Sequence, residues 1–184
     1  MNKVEPIRDP KKIQELKEYL QNWNDKYYMM WLLGSNIGLR VSDILKIRVR
    51  DIDKKDHLSF RDQKTGKSHR LPVNRHLKRE IHEYIEARHL NADDYIIPSN
   101  KGENQPLSRI QAYAVLNSAA EAVGIDYPIG THTMRKTFGY WHYRQHRDVA
   151  LLQQIFGHSS PSVTLRYIGI DDDVVDKSLE DFYI

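Results

Sequence analysis

Residues 148–167 read DVALLQQIFGHSSPSVTLRY and predict two short helices in close succession. Asp148 is a favourable N-cap for the first helix, and Gly157 is the kind of residue that commonly ends one. Pro161 suits the first turn of the second helix, which we expect to reach Tyr167. The stretch therefore places a histidine in the connection between the helices and a tyrosine near the end of the second helix.

Most of the rest of the chain is also predicted to be helical. Cap and stop residues give the other helices these boundaries: from Asp9, from Tyr27 to Leu33, after Ser42, after Asn74, from Ser108 to Gly124 and from Thr131 to about Gln145. Residues 49–73 instead alternate apolar and polar side chains around a turn at Lys64–Lys67, which predicts a β-hairpin. We therefore expect an α+β, mainly α fold with a small antiparallel sheet near the N-terminal third.

Composition limits the kind of protein that this sequence can encode. The 184 residues include no cysteine, which excludes disulfides and thiolate metal sites and favours a reducing compartment, the cytoplasm. No apolar run approaches the roughly 20 residues that a membrane-spanning helix needs. Residues 171–184 carry a net charge of −5, which leaves +8 on residues 1–170. A basic body with an acidic tail suits a polyanion such as nucleic acid.

Several polar residues in separate segments have the chemistry that an attack on a phosphodiester requires. Such an attack builds negative charge on the nonbridging oxygens, and Arg40 and Arg135 can supply fixed, always protonated donors there. His132 lies three residues before Arg135, so on a helix the two project from one face. Tyr167 can act as a nucleophile only with help, because a free tyrosine has a pKa of ~10, which flanking cations lower. Taken singly, each residue is more often structural.

These segments, in this order, resemble the tyrosine recombinase family, which includes phage integrases, chromosome-dimer resolvases and fimbrial phase-switch invertases. The matching motifs are Gly38-Leu-Arg-Val-Ser-Asp-Ile-Leu45, Gln63-Lys-Thr-Gly66, Thr131-His-Thr-Met-Arg-Lys-Thr-Phe138, Leu152-Gln-Gln-Ile-Phe-Gly-His-Ser-Ser160 and Thr164-Leu-Arg-Tyr167. The resemblance covers about residues 8 to 184 and departs from the family at Asp43, where Glu is common.

The resemblance implies an enzyme that cleaves and rejoins DNA at specific sites through a 3′-phosphotyrosyl intermediate, without metal or other cofactor. It implies the following site residues: Arg40, Lys64, His132, Arg135, His158 and Tyr167 as catalytic groups, with Asp43 in support. His132 would accept the phenol proton and His158 would donate a hydrogen bond to the phosphate. Lys64 would protonate the departing 5′ oxygen, with Lys67 as the competing candidate.

The resemblance also implies the partners. These are double-stranded DNA and further copies of the chain, as a tetramer on paired DNA sites and a monomer or weak oligomer when free, with room for accessory DNA-bending proteins. Family members usually carry a further N-terminal DNA-binding domain, whereas we expect residues 1–184 to form a single catalytic domain. Residues 171–184 predict an amphipathic helix, which either docks on a neighbouring protomer or folds back onto its own domain.

Parts of the sequence also resemble the motifs of other functions. His142 and His146 have the i, i+4 spacing of a metal site, but the general-base Glu of the zincin motif is replaced by Tyr143 and no third ligand is evident. A phosphate-binding P-loop at residues 61–68 lacks its first glycine. A catalytically inactive DNA-binding regulator and a type IB topoisomerase stay open as alternatives. The DNA sequence and the recombination outcome are also left open.

Overall fold

The computed structural model describes residues 4–61, 66, 68–170, 179–180 and 182–183, apart from the side chains of residues 61 and 69. Over these residues the elements are α1 (Pro10–Trp23), α2 (Asp25–Ile37), α3 (Val41–Ile44), α4 (Val49–Ile52), β1 (His57–Arg61), β2 (Ser68–Pro72), α5 (Arg75–Ala87), α6 (Arg109–Ala122), α7 (Thr131–His146), α8 (Val149–Phe156) and α9 (Pro161–Ile168). The strands pair antiparallel, with Leu58 opposite Leu71. The mainly α fold with a small antiparallel sheet is confirmed.

The helix boundaries follow the local chemistry of the caps. Asp9, Asn74, Ser108, Asp148 and Ser160 each accept a hydrogen bond from a backbone N–H of the first turn that follows. Each of these bonds satisfies a donor that the helix itself leaves without a partner. The caps therefore fix where α1, α5, α6, α8 and α9 begin.

Three helices differ from the sequence prediction. Helix α2 runs from Asp25 to Ile37 and so exceeds the predicted range of Tyr27 to Leu33 at both ends, because Asn24 caps its start and Gly38 ends it. Helix α3 begins at Val41 with Arg40 as its N-cap residue, rather than after Ser42. Helix α4 lies within the segment that was predicted to be extended, because Val49 and Ile52 are one helical turn apart and both are buried. The turn that contains Lys64 and most of the tail from residue 171 onward lie outside the described residues.

The buried side chains form two clusters that meet along α7. The larger cluster runs from Ile7 through α1 to α6 and includes Met134, in the first half of α7. The smaller one consists of Tyr140, Leu152, Phe156, Ile168 and Ile170, so it joins the second half of α7 to α8 and α9.

Gly139 is required for the contact of α7 with α8 and α9, because a Cβ there would lie 2.6 Å from the Ile168 side chain and 2.7 Å from the Phe156 ring.

Within the described part of the chain, no helix combines the length and apolar character needed to cross a membrane.

Candidate active site

Gly38 sets the direction of the chain at the first arginine motif. It ends α2 in the left-handed region, with φ 72° and ψ 24°, and a Cβ at this position would lie 2.4 Å from the Phe138 ring. The chain therefore turns sharply after α2 and places Arg40 at the start of α3. Asp43, in the first turn of α3, is 7% exposed.

Arg135 is held in a fixed orientation beneath the site. Its side chain is only 5% exposed, and its guanidinium donates to the carbonyl oxygens of Gly38 and, at 2.8 Å, Phe156. The guanidinium carbon also lies 4.3 Å from the centre of the Phe156 ring. These contacts come from two different segments and fix the plane of the guanidinium group before any substrate is present.

His132 lies one turn before Arg135 on α7 and faces the tyrosine of α9. Its Nδ1 atom is 3.3 Å from the Tyr167 hydroxyl oxygen. Burial lowers the pKa of His132 below its ordinary value, and the nearby cations, Arg135 first among them, lower that pKa further. The imidazole is therefore neutral at neutral pH and can accept a proton from the tyrosine.

Tyr167 experiences two opposing effects on its own proton. Burial raises the pKa of its hydroxyl, whereas the charges of Arg135 and Arg40 and a hydrogen bond from Arg135 lower it. The net direction is upward, so the hydroxyl keeps its proton in the free protein. Attack by this oxygen requires a neighbouring base, and His132 lies within reach.

His158 packs against the same tyrosine from the connection between α8 and α9. Its ring centre is 5.0 Å from that of Tyr167 and 5.2 Å from that of Phe156. Gln153 holds the backbone of His158 through two hydrogen bonds of 3.1 Å, one from its side-chain amide and one to its carbonyl oxygen. The His158 Nδ1 atom lies 3.1 Å from the hydroxyl of Thr164.

The structure therefore brings together five of the residues that were predicted from the sequence. They come from four segments: Arg40, His132 with Arg135, His158, and Tyr167. Lys64 lies outside the described residues, so its role stays a prediction.

Two further residues lie beside the site but were not predicted from the sequence. Lys136 is 5% exposed, with its ammonium 5.2 Å from the centre of the Tyr167 ring, and Thr164 is completely buried. Both lie inside the motifs quoted above, and that position was the only indication in the sequence that they belong to the site.

An open groove of about 1100 Å³ lies between α6, α7 and α9, and Tyr167 and His132 are among the residues that line it. Basic side chains line it at Arg109, Lys136 and Arg166.

Elsewhere the rings of His142 and His146 lie 4.6 Å apart. Among the residues that the structure describes, no three His, Asp or Glu side chains are grouped so that they could hold a metal ion.

The same motifs are recognised by comparison with known proteins. The model of the phage integrase family matches residues 8–173. The chain belongs to the phage integrase family. The enzyme class predicted from the sequence, a site-specific DNA recombinase of the tyrosine type, is thereby confirmed.

Relatives of this phage integrase family member differ in length. The chain is 47% identical over 173 residues to the probable integrase/recombinase YoeC of Bacillus subtilis (strain 168), and the match covers 94% of this chain and 93% of YoeC. It is 24% identical over 156 residues to the tyrosine recombinase XerA of Pyrococcus horikoshii, covering 84% of this chain and 53% of XerA. The chain thus spans almost all of YoeC but about half of XerA.

Solved structures with the same fold include other recombinases. The crystal structure of XerA recombinase superposes with a TM-score of 0.77 at 18% identity, over all of this chain and 66% of that one. XerH site-specific recombinase in a post-cleavage complex with its palindromic difH substrate gives a TM-score of 0.77 at 16% identity, over 98% of this chain and 53% of that one. At these identities the likeness concerns the fold alone.

Proposed function

We propose that this chain cleaves and rejoins double-stranded DNA at a specific site through a covalent 3′-phosphotyrosyl link to Tyr167. The observation that carries the proposal is the 3.3 Å approach of the Tyr167 hydroxyl to Nδ1 of His132, beside the fixed guanidinium of Arg135. Nucleophile, base and anion-stabilising cations thus meet at one point, at the end of a basic groove.

The reaction consists of two transesterifications, of which the second reverses the first. The Tyr167 oxygen attacks the phosphorus, its proton passes to His132, and the bond from phosphorus to the 5′ oxygen breaks. Lys64 supplies a proton to that oxygen, while Arg40 and Arg135 stabilise charge on the nonbridging oxygens. Rejoining reverses these steps with a 5′ hydroxyl as nucleophile, so the ester stores the energy and no nucleotide cofactor is consumed.

DNA that becomes covalently attached to the protein tests this proposal directly. We expect rapid denaturation of cells that express the chain, followed by sequencing of the DNA fragments that stay bound, to give break points at one or a few sites. The tyrosine should be attached at the 3′ phosphate of each break. Recovery of no covalent DNA from active, folded protein would contradict the proposal, and breaks scattered over any supercoiled DNA would favour a topoisomerase.

Arg135→Ala is expected to slow adduct formation by about 100-fold to 1,000-fold, because a preorganised donor to the developing charge is lost. Arg135→Lys should be impaired as well, since an ammonium group cannot bridge the carbonyls of Gly38 and Phe156 and still present a planar fork to phosphate. Adduct yield with time on a nicked DNA substrate is the measurement.

The matched control is Arg144→Ala, which removes an exposed arginine from the far end of the same helix. It should form adduct at nearly the wild-type rate. Thermal unfolding of each variant separates lost chemistry from lost folding. Wild-type adduct formation by Arg135→Ala would show that this arginine only supports the fold.

The tail is proposed to dock on a neighbouring protomer and so to support a tetramer on paired DNA sites. In its described part, Leu179 and Phe182 are 64% and 65% exposed, so neither side chain is buried against its own domain. Exposed apolar side chains of this size favour an intermolecular contact. Deletion of residues 171–184 should therefore weaken assembly on DNA while the monomer still folds.

Native gel shifts and light scattering on paired sites measure this effect. The double variant Leu179→Ser, Phe182→Ser should reproduce the loss of assembly, whereas Glu180→Ser, at an exposed charged side chain of the same segment, should not. If the truncated protein unfolds, or assembles like the full chain, docking between protomers is wrong.

A further inference from the structure

The hydroxyl of Thr164 connects the histidine of the site to the helix that carries the nucleophile. Thr164 is completely buried on α9, three residues before Tyr167. Its Oγ1 atom lies 3.1 Å from Nδ1 of His158 and 3.2 Å from the carbonyl oxygen of Ser160. Because solvent does not reach this side chain, these contacts determine how its hydroxyl is oriented.

A count of protons distinguishes the two arrangements that the distances allow. The hydroxyl has a single proton, and the carbonyl oxygen of Ser160 can only accept. If the hydroxyl donates to Ser160, a lone pair of Oγ1 is available to accept from an Nδ1–H group of His158, and both contacts become hydrogen bonds. If the hydroxyl donates to Nδ1 instead, the contact with Ser160 is lost and Oγ1 accepts nothing. The first arrangement makes one more hydrogen bond among buried groups, so it is favoured.

We infer that Thr164 is a positioning residue that holds His158 in the tautomer with its proton on Nδ1. In the neutral ring, Nε2 then carries a lone pair and no proton. This arrangement also survives protonation of the ring, since Oγ1 accepts from Nδ1–H in either charge state. The alternative arrangement does not, because it requires Nδ1 to be an acceptor.

This tautomer determines how His158 can act on a phosphate, a role that rests on the proposed function. With Nδ1–H donated to Thr164, a neutral His158 offers a phosphate oxygen no proton from Nε2. His158 can therefore donate to the scissile phosphate only as an imidazolium, which brings a further positive charge to the site.

Thr164 also fixes the ring relative to the nucleophile. Thr164 and Tyr167 lie one turn apart on α9, and the His158 ring packs 5.0 Å from the ring of Tyr167. A displacement of α9 would thus carry His158 and Tyr167 together, which keeps their separation constant while the phosphate is bound.

Nitrogen-15 NMR of the histidine rings in the DNA-free protein tests the tautomer without reference to activity. The chain contains nine histidines, and the signals of His158 are the set that disappears in His158→Asn. At a pH where this ring is neutral, we expect the Nδ1–H pattern in the wild type and in Thr164→Ser. Thr164→Val, which keeps the shape but lacks the hydroxyl, should shift His158 to the Nε2–H form that free histidine prefers.

An Nε2–H pattern for His158 in the wild-type spectrum would overturn the inference, and this result does not depend on the folding of either Thr164 variant. An unchanged His158 pattern in Thr164→Val would overturn it too. Unchanged signals from the other histidines establish that the valine variant is folded.

The second measurement is adduct formation on a nicked DNA substrate. Thr164→Val should be slower by roughly 10-fold to 100-fold, as is typical when the partner that orients a functional histidine is removed, whereas Thr164→Ser should stay close to the wild type. A normal rate in Thr164→Val would refute the positioning role. If the wild type forms no adduct at all, the proposed function fails, while the NMR result still decides the tautomer.

Discussion

We expect Tyr167→Phe to abolish the covalent protein–DNA adduct and to leave DNA binding nearly intact. The substitution removes one oxygen atom, the proposed nucleophile, and preserves the ring that packs against Phe156 and His158. Loss of an enzyme's nucleophile typically costs a factor of at least about 10⁴, so adduct should fall below detection in a denaturing gel. Binding should persist because the cations of the groove and of the site are unchanged.

Tyr183→Phe is the matched control for this result. Tyr183 is 97% exposed, and its loss removes a second tyrosine hydroxyl without disturbing the packed site. This variant should form adduct like the wild type. An adduct that survives in Tyr167→Phe and disappears only when Tyr183 is also replaced would move the nucleophile to the tail and overturn the assignment.

Lys64→Ala is expected to cleave ordinary DNA more slowly by a factor of about 100 to 10,000, the usual contribution of a general acid. The departing 5′ oxygen would otherwise leave as an alkoxide, and the pKa of its conjugate acid is close to that of water, far above neutral pH. Replacing the bridging 5′ oxygen by sulfur gives a leaving group with a pKa of about 8.5, which can depart without an acid. Lys64→Ala should therefore recover much of its lost rate on the sulfur substrate.

Two comparisons separate proton donation from phosphate binding. Arg135→Ala should show no such recovery, because the proposed role of Arg135 is to stabilise charge on the nonbridging oxygens, which the sulfur substitution leaves in place. Lys67→Ala, three residues further along the sequence, should cleave ordinary DNA close to the wild-type rate. Equal impairment of Lys64→Ala on both substrates would make Lys64 a phosphate contact, and a sulfur rescue of Lys67→Ala would assign the proton to that residue.

Local chemistry accounts for most of what the sequence could predict. The caps at Asp9, Asn74, Ser108, Asp148 and Ser160 depend on hydrogen bonds within one turn, so the helices that they begin could be placed from neighbouring residues alone. Helix α4 was missed because an apolar pair three residues apart within four residues carries little periodic signal.

The candidate site could be assembled from motifs, but its internal contacts could not. The bonds from Arg135 join its side chain to backbone carbonyls of two other segments, at Gly38 and Phe156, and nothing in the residue types specifies those partners. The neighbourhood of Lys136 and Tyr167 likewise depends on how α7 packs against α9. Such contacts are products of tertiary packing, so they become visible only once the helices are docked.

The division of the buried side chains into two clusters has a consequence for how the protein opens. His132 and Arg135 lie on the half of α7 that belongs to the larger cluster, whereas His158 and Tyr167 belong to the segments of the smaller one. A cooperative unit with only a few buried side chains separates at a free energy well below that of global unfolding. Amide protons of α8 and α9 should therefore exchange with solvent sooner than those of α2, through an opening that separates Tyr167 from His132 while the rest of the protein stays folded.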